Sequence, residues 1–207
     1  MIEIEEFEID GYIVPKFKLE KGKVARIWVE IMPLPNSKRG DGHKVAKKLG
    51  LLFANNNKME ISNTHKFHSV EKIRQNFYSK HFIKPTLKEF LHKKGILPDS
   101  KITSTLNSFG IDINTELKLI VFQKRKLVEI LIGFLERDNV IFDYYSLGPP
   151  DQEKLTEYVI TQVKSGKTAI GFDNLAYISD INHNQSIINL EMKRAMEIKT
   201  TANNVYN

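Results

Sequence analysis

Val24-Ala25-Arg26-Ile27-Trp28-Val29-Glu30-Ile31 is the most β-prone run of the first 31 residues, and it leads into a loop rich in Pro, Asn, Ser and Gly from Pro33 to Gly42. After the loop, Val45, Leu49 and Leu52 recur at i, i+4 and i+7, the buried stripe of a helix whose end is weakened by Gly50. Upstream, Ile2 and Ile4 alternate with charged residues, Asp10-Gly11 makes a turn, and Phe17 and Leu19 alternate with Lys16, Lys18 and Glu20 before a second turn at Lys21-Gly22. Downstream, residues 53 to 116 are rich in Asn, Lys and His, with helices expected at Leu87 to Lys94 and Ser100 to Phe109. From Glu116 the pattern strengthens. A helix runs through Leu127, Val128, Leu131 and Leu135, then come a strand Val140-Ile141-Phe142, a Gly-Pro-Pro loop at 148–150, a helix with Leu155, Val159 and Val163, and a strand Thr168 to Phe172. A strand Ser186 to Leu190, a helix Glu191 to Lys199 and a loose tail from Thr200 complete the expectation. Helix and strand alternating across short connections predict an α/β layer.

Composition narrows the functions open to such a chain. Its 207 residues and 41% apolar content suffice for a substantial core and lie far from disordered composition. The absence of cysteine excludes disulfides, thiolate metal sites and thiol catalysis. The formal charge is +6, and it is localised: residues 31–101 hold 15 Lys and Arg against five Asp and Glu, while the flanking segments are slightly acidic. The acidic, alternating start from Met1 to Asp10 is unlike a secretion signal, and Leu127 to Leu135, interrupted by Glu129 and Gly133, falls short of the ~20 residues of a membrane span. A cytoplasmic chain is expected, peripheral to a membrane only through a partner or its surface.

Five segments carry a chemical pattern in a fixed order. Leu34-Pro35-Asn36-Ser37-Lys38-Arg39-Gly40-Asp41-Gly42 follows the decisive strand; Leu119-Ile120-Val121-Phe122-Gln123 with Lys124-Arg125-Lys126 opens a helix; Val140-Ile141-Phe142-Asp143-Tyr144 is an apolar strand ending in a carboxylate. Tyr145-Ser146-Leu147-Gly148-Pro149-Pro150-Asp151 and Gly166-Lys167-Thr168-Ala169-Ile170-Gly171-Phe172-Asp173-Asn174-Leu175 complete the series. In order and spacing, from about Tyr12 to Leu175, the chain resembles the ATP-binding cassette of ABC transporters, a P-loop NTPase-like α/β core with an N-terminal antiparallel β subdomain and a helical arm.

The resemblance implies a role for each segment and exposes what is missing. Tyr12 sits where the family stacks an aromatic ring on adenine. The phosphate loop, G-P-N-G-S-G-K-S-T in the family, keeps only Pro35 and Asn36: Gly40 replaces the lysine that reaches the β- and γ-phosphates, and Asp41-Gly42 replaces the Ser/Thr pair that holds Mg²⁺. Lys38, Arg39 and Lys44 either attract an anion or form a solvated basic loop. In the signature segment L-S-G-G-Q, Gln123 is kept, but Ile120, Val121 and Phe122 replace the residues that contact the γ-phosphate across a dimer; by themselves these three read as core positions. Asp143 matches the magnesium-ordering carboxylate. Tyr144 stands in place of the catalytic glutamate, and a phenol with a pKa of about 10 is a poor base. Asp173 takes the place of the switch histidine.

These departures together imply a pseudo-ATPase that needs no cofactor, with ATP and Mg²⁺ disfavoured. Its expected partners are a second copy, an active paralogous cassette or a membrane permease, met near Phe82 to Leu91. One domain over 1–207 is expected, with a β-rich part at 1–31, an arm at 53–116, an α/β core at 117–199 and a tail. Two rival readings remain: a nucleic-acid or anionic-surface module using the basic segment 31–101, without any recognised nucleic-acid fingerprint, and a divergent active ATPase in which Lys44 folds back to replace the absent lysine. His65-x-x-His68 with His81 is too sparse for a metal site.

Overall fold

β5, Val24–Val29, is buried along its whole length because it is hydrogen-bonded on both sides. Strands paired in this way and covered on both faces read as continuous apolar runs, and only Arg26 interrupts this one. The structure is a computed structural model that describes residues 2–30, 42–55, 66–74, 84–180 and 183–195. Ahead of β5 lie four three-residue strands: β1 (Ile2–Ile4), β2 (Phe7–Ile9), β3 (Tyr12–Val14) and β4 (Phe17–Leu19). β1 pairs antiparallel with β4, and β2 with β3. Ile9 faces Tyr12 across the two-residue turn Asp10-Gly11, where both residues have positive φ, +50° and +80°, the geometry that matches the twist of a tight hairpin.

After β5 the chain forms α1 (Gly42–Ala54), β6 (His68–Ser69), α2 (Leu87–Lys93), α3 (Ser100–Ser108), α4 (Phe122–Glu136), β7 (Asn139–Asp143), α5 (Pro149–Lys164), β8 (Thr168–Asn174), β9 (Ile187–Glu191) and β10 (Lys193–Arg194). Two compact units result. The first contains residues 1–69, 138–145 and 159–207, the second residues 70–137 and 146–158.

The first unit is built on a five-stranded parallel sheet of order β6-β7-β8-β5-β9. The chain leaves β5 toward one edge and returns, at β9, to its other side, so the order reverses at β5; ligands of open α/β sheets bind outside the carboxyl ends of strands at such a point. Alternation fixes the two faces of β5. Ala25, Ile27 and Val29 pack in one cluster with Val45, Leu49 and Phe53 of α1. The other face carries Arg26 and Trp28, in register with Gly171 and Asp173 of β8. α1 continues past Gly50 to Ala54, and Gly50 lies buried against Ile141 and Phe172.

The second unit is helical. α2 starts in a capping box, with Thr86 Oγ1 accepting from Glu89 N–H and Glu89 Oε2 accepting from Thr86 N–H at 2.7 Å, and Asp99 caps α3 by accepting from Ile102 N–H at 2.7 Å. Tyr158 stacks edge-on against Phe109 and Phe134, both at 5.8 Å, and burial pushes its phenol pKa up.

Two local expectations are corrected. Pro149 is the first residue of α5 rather than a loop residue, because its missing N–H costs nothing at that position. Glu191 to Arg194 do not begin a helix: Glu191 ends β9, Met192 is buried in the core cluster, and Lys193–Arg194 pair antiparallel with β3. Positions 196–199 of that helix lie outside the described residues.

Among the described glycines, Gly42 at the start of α1 has the least room. A Cβ placed on Gly42 would lie 1.8 Å from the Glu30 carbonyl oxygen and 2.8 Å from Val29 Cγ1, so the two ends of the intervening loop meet backbone to backbone. Gly42→Ala is expected to lower unfolding free energy by about 3 kcal/mol, the upper end of overpacking costs. Gly148→Ala, where a Cβ meets only Pro150 Cδ at 4.0 Å, should change it by less than about 0.5 kcal/mol. Urea denaturation of both variants checks the pair; equal stabilities would contradict the close approach.

Candidate functional site

The carboxyl edge of the parallel sheet gathers Glu30 after β5, Gly42 and His43 at the start of α1, Asp143 to Tyr145 after β7, and Asp173 and Asn174 at the end of β8. Here the face of the sheet opposite α1 holds a buried charge cluster. Arg26, 4% exposed, donates through Nε to Asp173 Oδ2 at 2.9 Å and through Nη2 to the same oxygen. Its guanidinium carbon lies 4.4 Å from the Trp28 ring and 4.4 Å from the Tyr144 ring, so the cation is stacked on two aromatic faces. Each such contact contributes about 2 kcal/mol when desolvated. Trp28 Nε1 donates to Asn189 Oδ1 at 3.0 Å.

A charge in the centre of a sheet survives only with partners, and Asp173, fully buried, supplies the counter-charge. Burial pushes the Asp173 carboxyl above the ordinary carboxylate range, while the charge and hydrogen bonds of Arg26 draw it back in part. Gly171 is what admits Tyr144: a Cβ there would lie 2.9 Å from Tyr144 Cε2 and 3.0 Å from Phe142 Cζ. Tyr144 N–H is fixed in turn by the Phe172 carbonyl at 2.9 Å.

On the α1 face of the same edge, Asp143 Oδ1 accepts from Tyr145 N–H at 3.0 Å, and the Tyr145 ring lies 5.3 Å from the ring of the exposed His43. Burial, then the charges of Asp143 and Asp173, raise the Tyr145 phenol well above its ordinary range, so it stays neutral and cannot serve as a base. A second ion pair closes the edge: Arg194 Nε donates to Glu30 Oε2 at 2.6 Å, with the Arg194 guanidinium 5.8 Å from the Tyr12 ring.

The residues expected from sequence fall in different places. Tyr12 lies within β3, 4% exposed and in the core cluster with Arg194 over its ring, so its faces are taken up by the protein itself. Lys44 stands exposed on the first turn of α1. Asp143 is at the sheet edge. Lys38, Arg39 and Gly40, like His65, His81 and much of the basic segment, lie outside the described residues. Asp151, matched to the dimer loop, is bound by Lys124 at 2.7 Å in the second unit. Of the expected core positions Ile120 to Phe122, only Ile120 is buried; Val121 and Phe122 project outward because α4 begins only at Phe122, after an extended residue. The residue that sequence reasoning missed is Arg26. Its signal was a lone cation in a strand otherwise apolar throughout.

Among the described residues no three His, Asp or Glu converge as metal ligands. Position 42, matched to a hydroxyl residue of the phosphate loop, has no space for any side chain.

No family model matches the sequence, and no curated protein does. Solved structures do. A nucleotide-free ATP-binding cassette from an ABC transporter aligns over 98% of this chain and 94% of its own, with a TM-score of 0.52 at 12% identity. The chain has the ATP-binding cassette fold. A protein described as an ABC transporter ATP-binding protein from Pyrococcus furiosus aligns over 91% of this chain and 96% of its own (TM-score 0.56, 14% identity). RNase-L Inhibitor aligns over 98% of this chain and 42% of its own (TM-score 0.55, 14% identity). Within this cassette fold the carboxyl end of the sheet carries the Arg26–Asp173 and Arg194–Glu30 ion pairs.

The cluster predicts strong coupling. Arg26→Met and Asp173→Asn are each expected to cost about 3–5 kcal/mol, since each leaves the other group buried alone. The double variant should lose clearly less than the two combined, read by chemical denaturation; additive losses would mean that the two side chains do not depend on each other.

Proposed function

We propose that this chain is a cassette-fold subunit that does not hydrolyse ATP and that acts as a structural or regulatory member of a membrane transport complex, paired with a second copy, an active paralogue or a permease. The observation that carries the reading is Tyr144. By sequence order it stands where a cassette ATPase places its general base, and it is 1% exposed and stacked on Arg26. Hydrolysis needs a group that accepts a proton from water within hydrogen-bonding reach of the phosphate, and a buried phenol engaged with a cation offers none.

Two further features support the same reading. Asp173, in the place of the switch histidine, is tied to Arg26, and a residue so held is not free to follow the γ-phosphate. By sequence order Asp41 stands where the phosphate loop has the hydroxyl residue that follows its lysine and holds the metal. A cassette fold retained without this chemistry would offer its surfaces rather than its turnover. No helix among the described residues is long and apolar enough to cross a membrane, so in this reading membrane contact goes through partners or the surface.

The test is a thermal melt with Mg²⁺ and ATP. A ligand that binds only the folded state at 100 times its Kd adds about 2.7 kcal/mol and raises Tm. The expected result is an unchanged Tm for the wild-type chain and for Lys44→Ala alike. A rise that Lys44→Ala abolishes would instead favour a divergent ATPase using Lys44.

A further inference from the structure

At the amino ends of β7 and β8, opposite the carboxyl edge of the sheet, the first unit holds a pocket of about 110 Å³. Its floor is apolar, made by Ile2 and Leu19, which face each other across the β1–β4 ladder and are 3% and 0% exposed. Its wall is polar. Thr168, the first residue of β8, lines it while being only 5% exposed, and Asn139, its partner in register, opens β7. Lys21 completes the lining from the turn that follows β4.

Two donors here have no use inside the protein. Among the described residues the Thr168 hydroxyl takes part in no hydrogen bond, although nearly all buried polar side chains do. Lys21 Nζ likewise has neither a hydrogen bond nor an ion pair among them. Its stem crosses Gly166, whose φ is +100°: a Cβ there would lie 3.4 Å from Lys21 Cε and 3.9 Å from Nζ. The other polar groups of the lining are engaged. Asn139 Nδ2 donates to the Lys66 carbonyl at 3.4 Å, and the Asp138 carboxylate, out at the rim, lies 3.9 Å from Lys167 Nζ. An ammonium and a buried hydroxyl left over above an apolar floor match a ligand with an anionic head and a short hydrocarbon tail. Inorganic phosphate fits less well, because it needs donors on every side and the floor offers none.

Size sets the length of the tail. At ~30 Å³ per water in the liquid, the pocket has room for about four waters, hence for a ligand of about four to six non-hydrogen atoms. We propose that it binds a small aliphatic monocarboxylate of about three to four carbons, its carboxylate accepting from Lys21 Nζ and Thr168 Oγ1 and its tail lying on Ile2 and Leu19. The pocket shares no residue with the carboxyl edge, and the proposal holds whether or not the chain hydrolyses ATP.

Butyrate is titrated onto the full chain and its binding read by saturation-transfer NMR. A Kd of about 1 mM is expected, well within what so small a ligand can reach. Acetate, shorter by two methylenes, should bind about tenfold more weakly, and butylamine, the same tail carrying a cation, should not bind. Lys21→Met keeps the stem and removes the charge; Thr168→Val keeps the shape and removes the hydroxyl. Each should weaken butyrate binding by about tenfold or more, and both should melt like the wild type, since neither group is bonded within the fold. Because Lys21 is exposed, K21M keeps the test decisive whatever Thr168→Val does to folding. No saturation transfer from butyrate, equal binding of butylamine, butyrate bound as well by K21M as by the wild type, or Lys21-dependent binding of inorganic phosphate in preference to butyrate would each overturn the proposal.

Discussion

A guanidinium in the middle of a parallel sheet constrains everything around it. Arg26 lies on an interior strand, where neighbours on both sides satisfy the backbone and water is excluded, so its charge must be met by side chains. Asp173 meets it by hydrogen bond, and Trp28 and Tyr144 by their ring faces. Each partner imposes a further condition. Tyr144 needs Gly171 to be bare, Trp28 needs Asn189 for its indole N–H, and Asp173 must sit in register with Trp28. The cluster therefore spans β5, β8 and β9 and the residue that follows β7.

The same constraint links fold to function. Strand ends at a topological switch point are where α/β proteins assemble chemistry, because side chains and helix N-termini converge there without carrying the core. In this chain Tyr144 and Asp173 are buried against Arg26, while Asp143 is half-buried and His43 and Lys44 are exposed. Where the resemblance would place a general base and a switch histidine, this chain has a phenol stacked on Arg26 and an aspartate bonded to it. Architecture and chemistry are separable in this way, since the sheet order depends on apolar runs and connections while the activity depends on a few side chains at its rim.

Much of the architecture was legible locally. Apolar runs at Val24 and Val140 mark buried strands, Asp10-Gly11 marks a hairpin, and the spacing of Val45, Leu49 and Leu52 gives α1 its buried face. Order and spacing of the five segments carried the cassette likeness. The site was less legible because its decisive contact joins residues 147 positions apart, and parallel register leaves no local trace. Tyr12 looked available as a stacking platform because nothing near it in sequence announces Arg194. Ile120 to Phe122 looked like core because apolarity alone does not say where a helix begins, and the late start of α4 turns two of the three outward.

The central claim is that the groups at the sheet edge serve the fold and leave no catalyst behind. Phosphate release from ATP by the purified full chain with Mg²⁺, followed over many hours, tests it most directly. The account predicts release no faster than in protein-free buffer. Steady turnover that scales with protein concentration and disappears in Asp143→Asn would contradict it.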